Sequence, residues 1–347
     1  MFELICKVPP DKVCREFKTR DIVKRIGVIT ADRVHLKKYP VDNPVTVFNP
    51  SLILDDGEFT VYGRIVLGYF TYASAVAEII LPIRDVFNNT LSGHYTAEIT
   101  VFPDNKFDLW GVEDPRVYEI DGRRFMTYCG RTVNYFDPSI RTERTLPVTA
   151  ILEKDGWRKL CVFRLPPETR GFVISDKDAF LVETKKGIKL FHRLHMKDEN
   201  FYLVISDVPE STLEADEFVE MSVSNTALAL EPAEFEEKLG WGPPPVKIDK
   251  EYLLILHSVD REMKSYRVFA MLMNEEMEVM AITPHYIMEP KEIYEIYGDR
   301  PFTVFPCGAQ LVDDRIIISY GAADSAIGLG EIDVSELMAI LDSNRIE

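Results

Sequence analysis

The feature that most constrains the fold is a hairpin-like pattern that recurs along the chain about every 64 residues. Each copy has a polar or proline-marked start, a β-branched strand, a polar turn and a second apolar strand with a polar end. Asp-Gly or an equivalent pair at the turn favours the positive φ of a tight β-hairpin. The turns lie near Gly57, Gly122, Gly187, Lys250 and Asp314. The hairpins cover residues 49–64, 113–131, 177–193, 243–258 and 307–322.

Further strand-like runs lie between the hairpins, such as "SAVAEIIL" and "YRVFAMLM". Each period therefore holds about four strands, which is the content of one propeller blade. We predict an all-β fold, a five-bladed β-propeller that forms a single domain over residues 1–347. A double β-sandwich is the alternative, and the regular period disfavours it. Helical spacing is confined to residues 9–27, 232–240 and 335–343, which predicts short helices near both termini and in one blade connection.

Composition limits the kind of partner. The formal net charge of −17 argues against nucleic acid and anionic membranes, because both attract basic surfaces. The N-terminus has no apolar leader segment, so we expect a cytoplasmic protein. The five cysteines are an odd number without CxxC spacing, which indicates reduced thiols. The scattered histidines form no metal-binding motif, so we expect no metal and no cofactor.

The uncommon polar residues collect at the hairpin ends opposite the turns. In an antiparallel hairpin, the start of the first strand lies beside the end of the second. The predicted neighbours are Asn49 with Arg64, Asp114 with residues 128–131, Lys177 with His192 and Arg193, Pro243 with His257, and Cys307 with residues 320–324. If the hairpins line a central channel, these ends form one polar ring.

Each of these residues alone has an ordinary structural explanation. Asp114-Pro115 fits a turn, Lys177-Asp178 fits a solvated pair, and a single histidine is usually a core residue. The repetition of one register in five hairpins favours a common site. A concave, polar site with mixed charges suits a sugar or a phosphate better than an apolar ligand.

These hairpins resemble glycoside hydrolase family 130, the inverting β-mannoside phosphorylases and related β-mannosidases, which are five-bladed propellers. The stretches that carry the resemblance span residues 48–330. They are "FNPSL" from Phe48, "VYGR" ending at Arg64, "GVEDPR" from Gly111, "KDA" from Lys177, "FHR" from Phe191, "LILH" ending at His257, "FPCGAQL" from Phe305 and "YGAADSAIGLG" from Tyr320.

The resemblance implies a catalytic acid at Asp114, which passes its proton through the 3-hydroxyl of the sugar to the glycosidic oxygen. Inorganic phosphate, the co-substrate, attacks the anomeric carbon from the opposite face and gives α-mannose 1-phosphate. An anionic nucleophile needs cationic donors rather than a base. The expected phosphate-binding residues are Arg64, Lys177, His192, Arg193 and His257. The expected substrate-binding residues are Asn49, Trp110, Glu113, Arg116, Arg131, Asp178, Tyr320 and Asp324.

We therefore expect reversible phosphorolysis of a β-mannoside oligosaccharide or glycoconjugate. A β-mannosidase is the first alternative, and it needs a second carboxylate about 6.5–9.5 Å from the acid to activate water. A mannosyltransferase that uses a nucleotide sugar is another, and a glycan-binding propeller without chemistry is the third. The chain departs from the usual family pattern at Leu256 and at Arg131, and the sequence leaves a homo-oligomer open.

Overall fold

The computed structural model describes residues 2–4, 15–88 and 91–346, and most of them form β-strands. The strands of the first half of the chain are β1 (Glu3–Leu4), β2 (Lys24–Thr30), β3 (Val34–Leu36), β4 (Thr46–Asp55), β5 (Glu58–Val66), β6 (Ser74–Pro82), β7 (Tyr95–Val101), β8 (Val112–Ile120), β9 (Arg123–Arg131), β10 (Thr145–Glu153), β11 (Gly156–Arg164) and β12 (Val173–Thr184). The remaining strands are β13 (Gly187–Met196), β14 (Phe201–Asp207), β15 (Val219–Ser222), β16 (Ser224–Leu230), β17 (Glu236–Trp241), β18 (Val246–Ile248), β19 (Glu251–Asp260), β20 (Tyr266–Met273), β21 (Val279–Ile282), β22 (Val304–Val312), β23 (Arg315–Ala322) and β24 (Ala326–Asp333).

Helices are few and short. The α-helices are α1 (Ile83–Phe87), α2 (Pro167–Arg170), α3 (Ile293–Ile296) and α4 (Val334–Asp342), and 3-10 helices cover Ala31–Arg33 and Glu210–Glu214. The predicted C-terminal helix is confirmed as α4, whose first turn is capped by the Asp333 side chain accepting from the Glu336 backbone N–H. In the described part of the chain, no helix is long and apolar enough to cross a membrane.

The strands form five sheets arranged as the blades of a propeller, so the predicted five-bladed β-propeller is confirmed. From the centre outward, blade I is β4-β5-β6-β7-β3, blade II is β8-β9-β10-β11-β15 and blade III is β12-β13-β14-β16-β1. Blade IV is β17-β19-β20-β21, with β18 also pairing β19, and blade V is β22-β23-β24-β2. The first strands of neighbouring blades contact one another around the centre.

The ring is closed by the two ends of the chain. β2 pairs antiparallel with β24, so an N-terminal strand completes the blade that the C-terminal strands begin. β3, β15 and β1 add parallel fifth strands to blades I, II and III. The sheet edges of these blades are thereby covered by segments from elsewhere in the chain.

Two predicted helices are wrong where the structure describes them. Residues 15–23 form no helix, residues 24–27 belong to β2, and residues 9–14 lie outside the described residues, as do Cys6 and Cys14. The segment 232–240 leads into β17, the first strand of blade IV. Glu236 is fully buried in that strand and accepts from the Tyr286 hydroxyl and Arg15, so tertiary contacts override the helical spacing.

The inner hairpins have tight turns of the predicted kind. Asp56-Gly57 and Asp121-Gly122 both adopt positive φ, as a type I′ turn requires. In blade IV the inner strand is interrupted, because the Gly-Pro-Pro-Pro segment 242–245 separates β17 from β18. His257 consequently lies opposite Gly240, three residues before the predicted neighbour Pro243.

Candidate active site

The innermost strands of blades I, II and III share an irregularity near the cavity end of each strand. Asn49, Asp114 and Asp178 all have positive φ, between 46° and 54°. The pairing register shifts around each of them, which defines a β-bulge. Asn and Asp tolerate this backbone conformation better than other side chains except glycine. The repeated bulge therefore turns three polar side chains toward the centre of the ring.

The carboxylate of Asp114 is oriented by blade I. Its Oδ1 accepts from Asn49 Nδ2 at 2.8 Å and from Arg64 Nη1 at 3.0 Å. Both donors stand on the neighbouring inner hairpin, and all three side chains are nearly buried. Charge-assisted hydrogen bonds of this kind fix the orientation of the carboxyl group within the cavity.

Glu113 holds three cations from three blades. Its carboxylate is fully buried and accepts from Arg64 Nη2 and Arg131 Nε, both at 2.8 Å, and from Lys177 Nζ at 3.3 Å. Burial alone would raise the pKa of Glu113, but the three cations, Arg131 foremost, hold it below its usual range. The Cys129 thiol, whose pKa burial raises to about 12, donates to the same carboxylate.

Asp178 is the centre of a second cluster of side chains at the base of the cavity, which is called the cavity floor below. Its Oδ2 accepts from Arg193 Nε at 2.6 Å and lies 3.4 Å from His257 Nε2. Burial alone would raise the pKa of Asp178, but Arg193 and His257 lower it well below its usual value. Burial lowers the pKa of His257 to about 4, so its ring is neutral near pH 7.

Arg116 lies behind the cavity floor and supports it through hydrogen bonds. Its guanidinium is fully buried, donates to the carbonyls of Asp114, Trp241 and Gly242, and lies 3.8 Å from Asp178 Oδ1. One side chain of blade II thus ties the bulge of its own blade to blades III and IV. Arg116 and His257 support the cavity and do not line it.

A cavity of about 570 Å³ opens at this end of the ring, a size typical of small-molecule sites. The predicted site residues that line it are Asn49, Arg64, Glu113, Asp114, Arg131, Lys177, Asp178, Arg193 and Asp324. Six cationic and five acidic side chains of the described residues line the cavity. Its lining is therefore more basic than the chain as a whole, whose net charge is −17.

Asp324 lines the same cavity from blade V. Partial burial raises the pKa of Asp324 to about 6, with Asp114 and Asp299 acting in the same direction and Arg64 and Arg300 opposing them. No hydrogen bond to its carboxylate is present among the described residues. This carboxylate is therefore available to a bound ligand.

Besides Arg116 and His257, three further predicted contact residues do not line the cavity. The His192 ring is fully buried inside blade III, where Nδ1 lies 2.8 Å from Asp176 Oδ2 and Nε2 lies 2.8 Å from Ser206 Oγ. Tyr320 is equally buried and donates from its hydroxyl to Glu295. Trp110 contributes a backbone N–H to the Arg131 carbonyl, and its ring is not part of the lining.

Sequence reasoning missed several lining residues. Lys238 and Tyr266 come from blade IV, Arg300 from the loop before β22, and Tyr135 and Phe136 from the loop after β9. Alternation along β17 could have indicated Lys238 once that segment was assigned as a strand. The loop residues carried no sequence signal, because a loop has no fixed register. In the described ranges, no group of three or more His, Cys, Asp or Glu side chains is arranged to hold a metal ion.

The chain is similar to several known proteins. The profile of a family described as beta-1,4-mannooligosaccharide phosphorylase matches residues 13–343. A beta-1,2-mannobiose phosphorylase of Thermoanaerobacter sp. (strain X514) is 30% identical over 65% of this chain and 68% of its own length. A 1,2-beta-oligomannan phosphorylase of the same strain is 28% identical over 66% and 71%. The structure of a beta-1,2-mannobiose phosphorylase from Listeria innocua, in complex with beta-1,2-mannobiose, superposes with a TM-score of 0.67 and 17% identity over 93% of this chain and 97% of that chain.

Proposed function

Because this chain belongs to glycoside hydrolase family 130, we propose that it is an inverting mannoside phosphorylase that converts a β-mannoside and inorganic phosphate to α-mannose 1-phosphate and a free acceptor. One observation carries the proposal. Arg64, Arg131 and Lys177 converge from three blades on Glu113, immediately beside the oriented carboxyl group of Asp114. The cavity thus combines an acid with cations suited to an anionic nucleophile.

Asp114 is the proposed proton donor. As the family resemblance implies, its proton passes through the 3-hydroxyl of the mannosyl unit to the glycosidic oxygen as the bond from the anomeric carbon breaks. Asn49 and Arg64 fix the carboxyl group through Oδ1, which leaves Oδ2 for the sugar. Fixing the donor in one orientation lowers the entropy cost of the transfer.

Arg131 and Lys177 are the proposed phosphate ligands. Both cations already approach a buried carboxylate, so they are held in place before phosphate arrives. A phosphate oxygen then attacks the anomeric carbon on the face opposite the leaving oxygen, and the configuration inverts. Phosphate brings its own negative charge, so no side chain has to act as a base.

Two of the neighbouring carboxylates are poor bases. Cations hold the pKa of Glu113 and of Asp178 below their usual values, so both carboxylates stay ionised and bind protons weakly. Asp324 lines the same cavity, and its pKa, raised to about 6, suits it to activate water. This observation makes hydrolysis the second candidate function, with Asp114 as acid and Asp324 as base.

The proposal is tested with α-mannose 1-phosphate and a panel of neutral acceptors, by measuring release of inorganic phosphate and the mannoside formed. The forward reaction is measured with β-1,2- and β-1,4-mannobiose, in the presence and absence of phosphate. We expect turnover only when phosphate is present. Mannose release at an equal rate without phosphate would instead establish the hydrolase.

Asp114→Asn tests the acid. Asparagine keeps the shape, and its side-chain oxygen still accepts from Asn49 and Arg64, so the fold is retained. Removing a general acid should lower kcat by about two to four orders of magnitude. Circular dichroism confirms the fold, and near-normal phosphorolysis by this variant would place the acid at another residue.

A further inference from the structure

A second group of cations, none of which contacts Glu113, lines the same cavity. Arg193 stands at the cavity end of β13 in blade III, Lys238 in β17 of blade IV, and Arg300 in the loop that enters blade V. The Arg300 backbone N–H donates to the Ala323 carbonyl at 3.0 Å, which anchors that loop beside the cavity. The cations around Glu113 come from blades I, II and III, and the second group comes from blades III, IV and V. The two groups meet in blade III, where Arg193 is the cross-strand neighbour of Lys177.

The two groups differ in how their charge is compensated. In the Glu113 group every cation contacts a carboxylate. In the second group only Arg193 does, through Nε to Asp178. Within the described residues, neither Lys238 nor Arg300 forms an ion pair with a carboxylate.

Aromatic rings hold the second group together. The Lys238 ammonium lies 5.0 Å from the Phe201 ring centroid and 5.7 Å from that of Tyr266. The Arg300 guanidinium lies 4.6 Å from the same Tyr266 ring, and the Arg193 guanidinium 5.6 Å from Phe201. Two rings therefore carry three like charges, an arrangement that favours a shared anion.

The electrostatics of Lys238 point the same way. Burial, together with repulsion from Arg193 and Arg300, lowers the pKa of Lys238 to about 7. A bound anion would reverse this effect, because an opposite charge favours the ammonium form. The charge of these cations is therefore better compensated when an anion is bound.

The stereochemistry of the reaction assigns this anion to the acceptor side. In an inverting displacement the nucleophile and the leaving group lie on opposite faces of the reacting carbon. Inorganic phosphate at Arg131 and Lys177 occupies the side of blades II and III. The cations of blades IV and V then lie toward the leaving group.

We propose that Arg193, Lys238 and Arg300 bind an anionic substituent of the acceptor sugar, a phosphate or a carboxylate group. The natural β-mannoside would then be a mannosylated sugar phosphate or uronate. This inference rests on the proposed phosphorylase function, since it names the substrate class of the same cavity. Inorganic phosphate binds at Arg131 and Lys177 and the acceptor anion at Lys238 and Arg300, with Arg193, the cross-strand neighbour of Lys177, between them.

The reverse reaction tests this assignment. The enzyme is given α-mannose 1-phosphate and matched acceptor pairs: mannose with mannose 6-phosphate, and glucose with glucose 6-phosphate or glucuronate. Products are quantified by mass spectrometry, which avoids the phosphate background. We expect kcat/KM to favour at least one charged acceptor over its neutral partner by about ten- to a hundredfold, the range of a charge-assisted hydrogen bond. The phosphate and uronate acceptors distinguish the two anions.

Lys238→Met and Arg300→Met should each lower the charged-to-neutral ratio of kcat/KM at least about tenfold. Lys185→Met removes an exposed lysine at the opposite end of blade III, where it pairs with Glu275, and should leave the ratio unchanged. A ratio near one for the unmodified enzyme, or one that survives both substitutions, overturns the inference. So does a tenfold rise of the KM for inorganic phosphate in Lys238→Met with no change in the ratio.

Equilibrium binding separates this inference from the proposed function. Calorimetric titration with mannose 6-phosphate and with mannose needs no turnover, so it remains informative if the enzyme is a hydrolase. Tight binding of the charged sugar alone, weakened by Lys238→Met, supports the anion site without phosphorolysis. Phosphorolysis of neutral mannosides, with equal affinity for both sugars, supports the function and refutes the anion site.

Discussion

Glu113→Gln would remove a charge that three cations share at the cavity floor, of which only Arg64 has a second carboxylate partner among the described residues, Asp114. The fully buried carboxylate contacts Arg64, Arg131 and Lys177, and glutamine keeps its shape while losing its charge. Removing one partner of a buried ion pair costs about 3–5 kcal/mol, because the other charge is left uncompensated. Unfolding entropy of about 2.1 cal/mol/K per residue gives about 0.7 kcal/mol/K for this chain. The melting temperature should therefore fall by about 4–7 °C.

Phosphate should restore much of this loss. The substitution leaves Arg131 and Lys177 without a carboxylate partner in the described part of the chain, and an anion that binds only the folded state at a hundred times its Kd stabilises it by about 2.7 kcal/mol. That corresponds to about 4 °C here, using the same unfolding entropy. We expect the phosphate-dependent increase in Tm to be larger for Glu113→Gln than for the unmodified enzyme.

Thermal melts followed by circular dichroism measure both effects, with phosphate titrated against chloride at constant ionic strength. Glu98→Gln is the matched control, because Glu98 pairs with Lys38 on the surface and its loss should leave Tm unchanged. A fall in Tm no larger than that of the control would show that the Glu113 charge does not hold the floor together. A phosphate response no larger than that of the unmodified enzyme would move the anion site elsewhere.

Two further outcomes follow from the site geometry. The ionised Asp324 carboxylate accepts from sugar hydroxyls more strongly than the protonated acid, so kcat/KM should fall as the pH drops below about 6, and Asp324→Asn should abolish this acid limb. A limb that persists in the variant belongs to another group. Gly240→Ala would place a Cβ 2.4 Å from Asp178 Oδ2 and 2.2 Å from His257 Nε2, so kcat should fall about a hundredfold through misplaced floor residues. Gly68→Ala, where a Cβ meets nothing within 4 Å, is its control, and equal activity of the two variants would contradict this account.

The fold was predictable because the inner hairpins of the blades have local sequence signals. An Asp-Gly turn such as Asp56-Gly57 and alternating apolar strands are short-range signals. The first strand of blade IV, β17, was predicted as a helix, because the acidic segment before Lys238 has helical spacing. Its pairing as a strand is set by residues distant in sequence. The parallel fifth strands β3 and β15 were also not predicted, since their partners lie far away in sequence.

The site was predictable where hairpin register determines it. Asn49, Asp114 and Asp178 lie at equivalent bulges, so repetition along the sequence located them. His192 shows the limit of that reasoning, because adjacent residues of a strand face opposite sides. Its neighbour Arg193 faces the cavity, and His192 faces the interior of the blade. That alternation could have excluded His192 from the sequence alone.

The closure of the ring by β2 sets the order in which the protein can be completed during synthesis. Ile29 of β2 pairs with Ile327 of β24, so the outermost strand of blade V is made long before its partner. At about 5–20 residues per second, roughly 15–60 s separate the two on the ribosome. Throughout that interval the segment "RIGVIT" has unpaired backbone groups and apolar side chains. The inner strands of blades I to IV can pair as they emerge, and of the described strands of blade III only the two-residue β1 waits for a distant partner. The seven-residue β2 waits longest, which makes it the place where a nascent chain is most exposed to association with another.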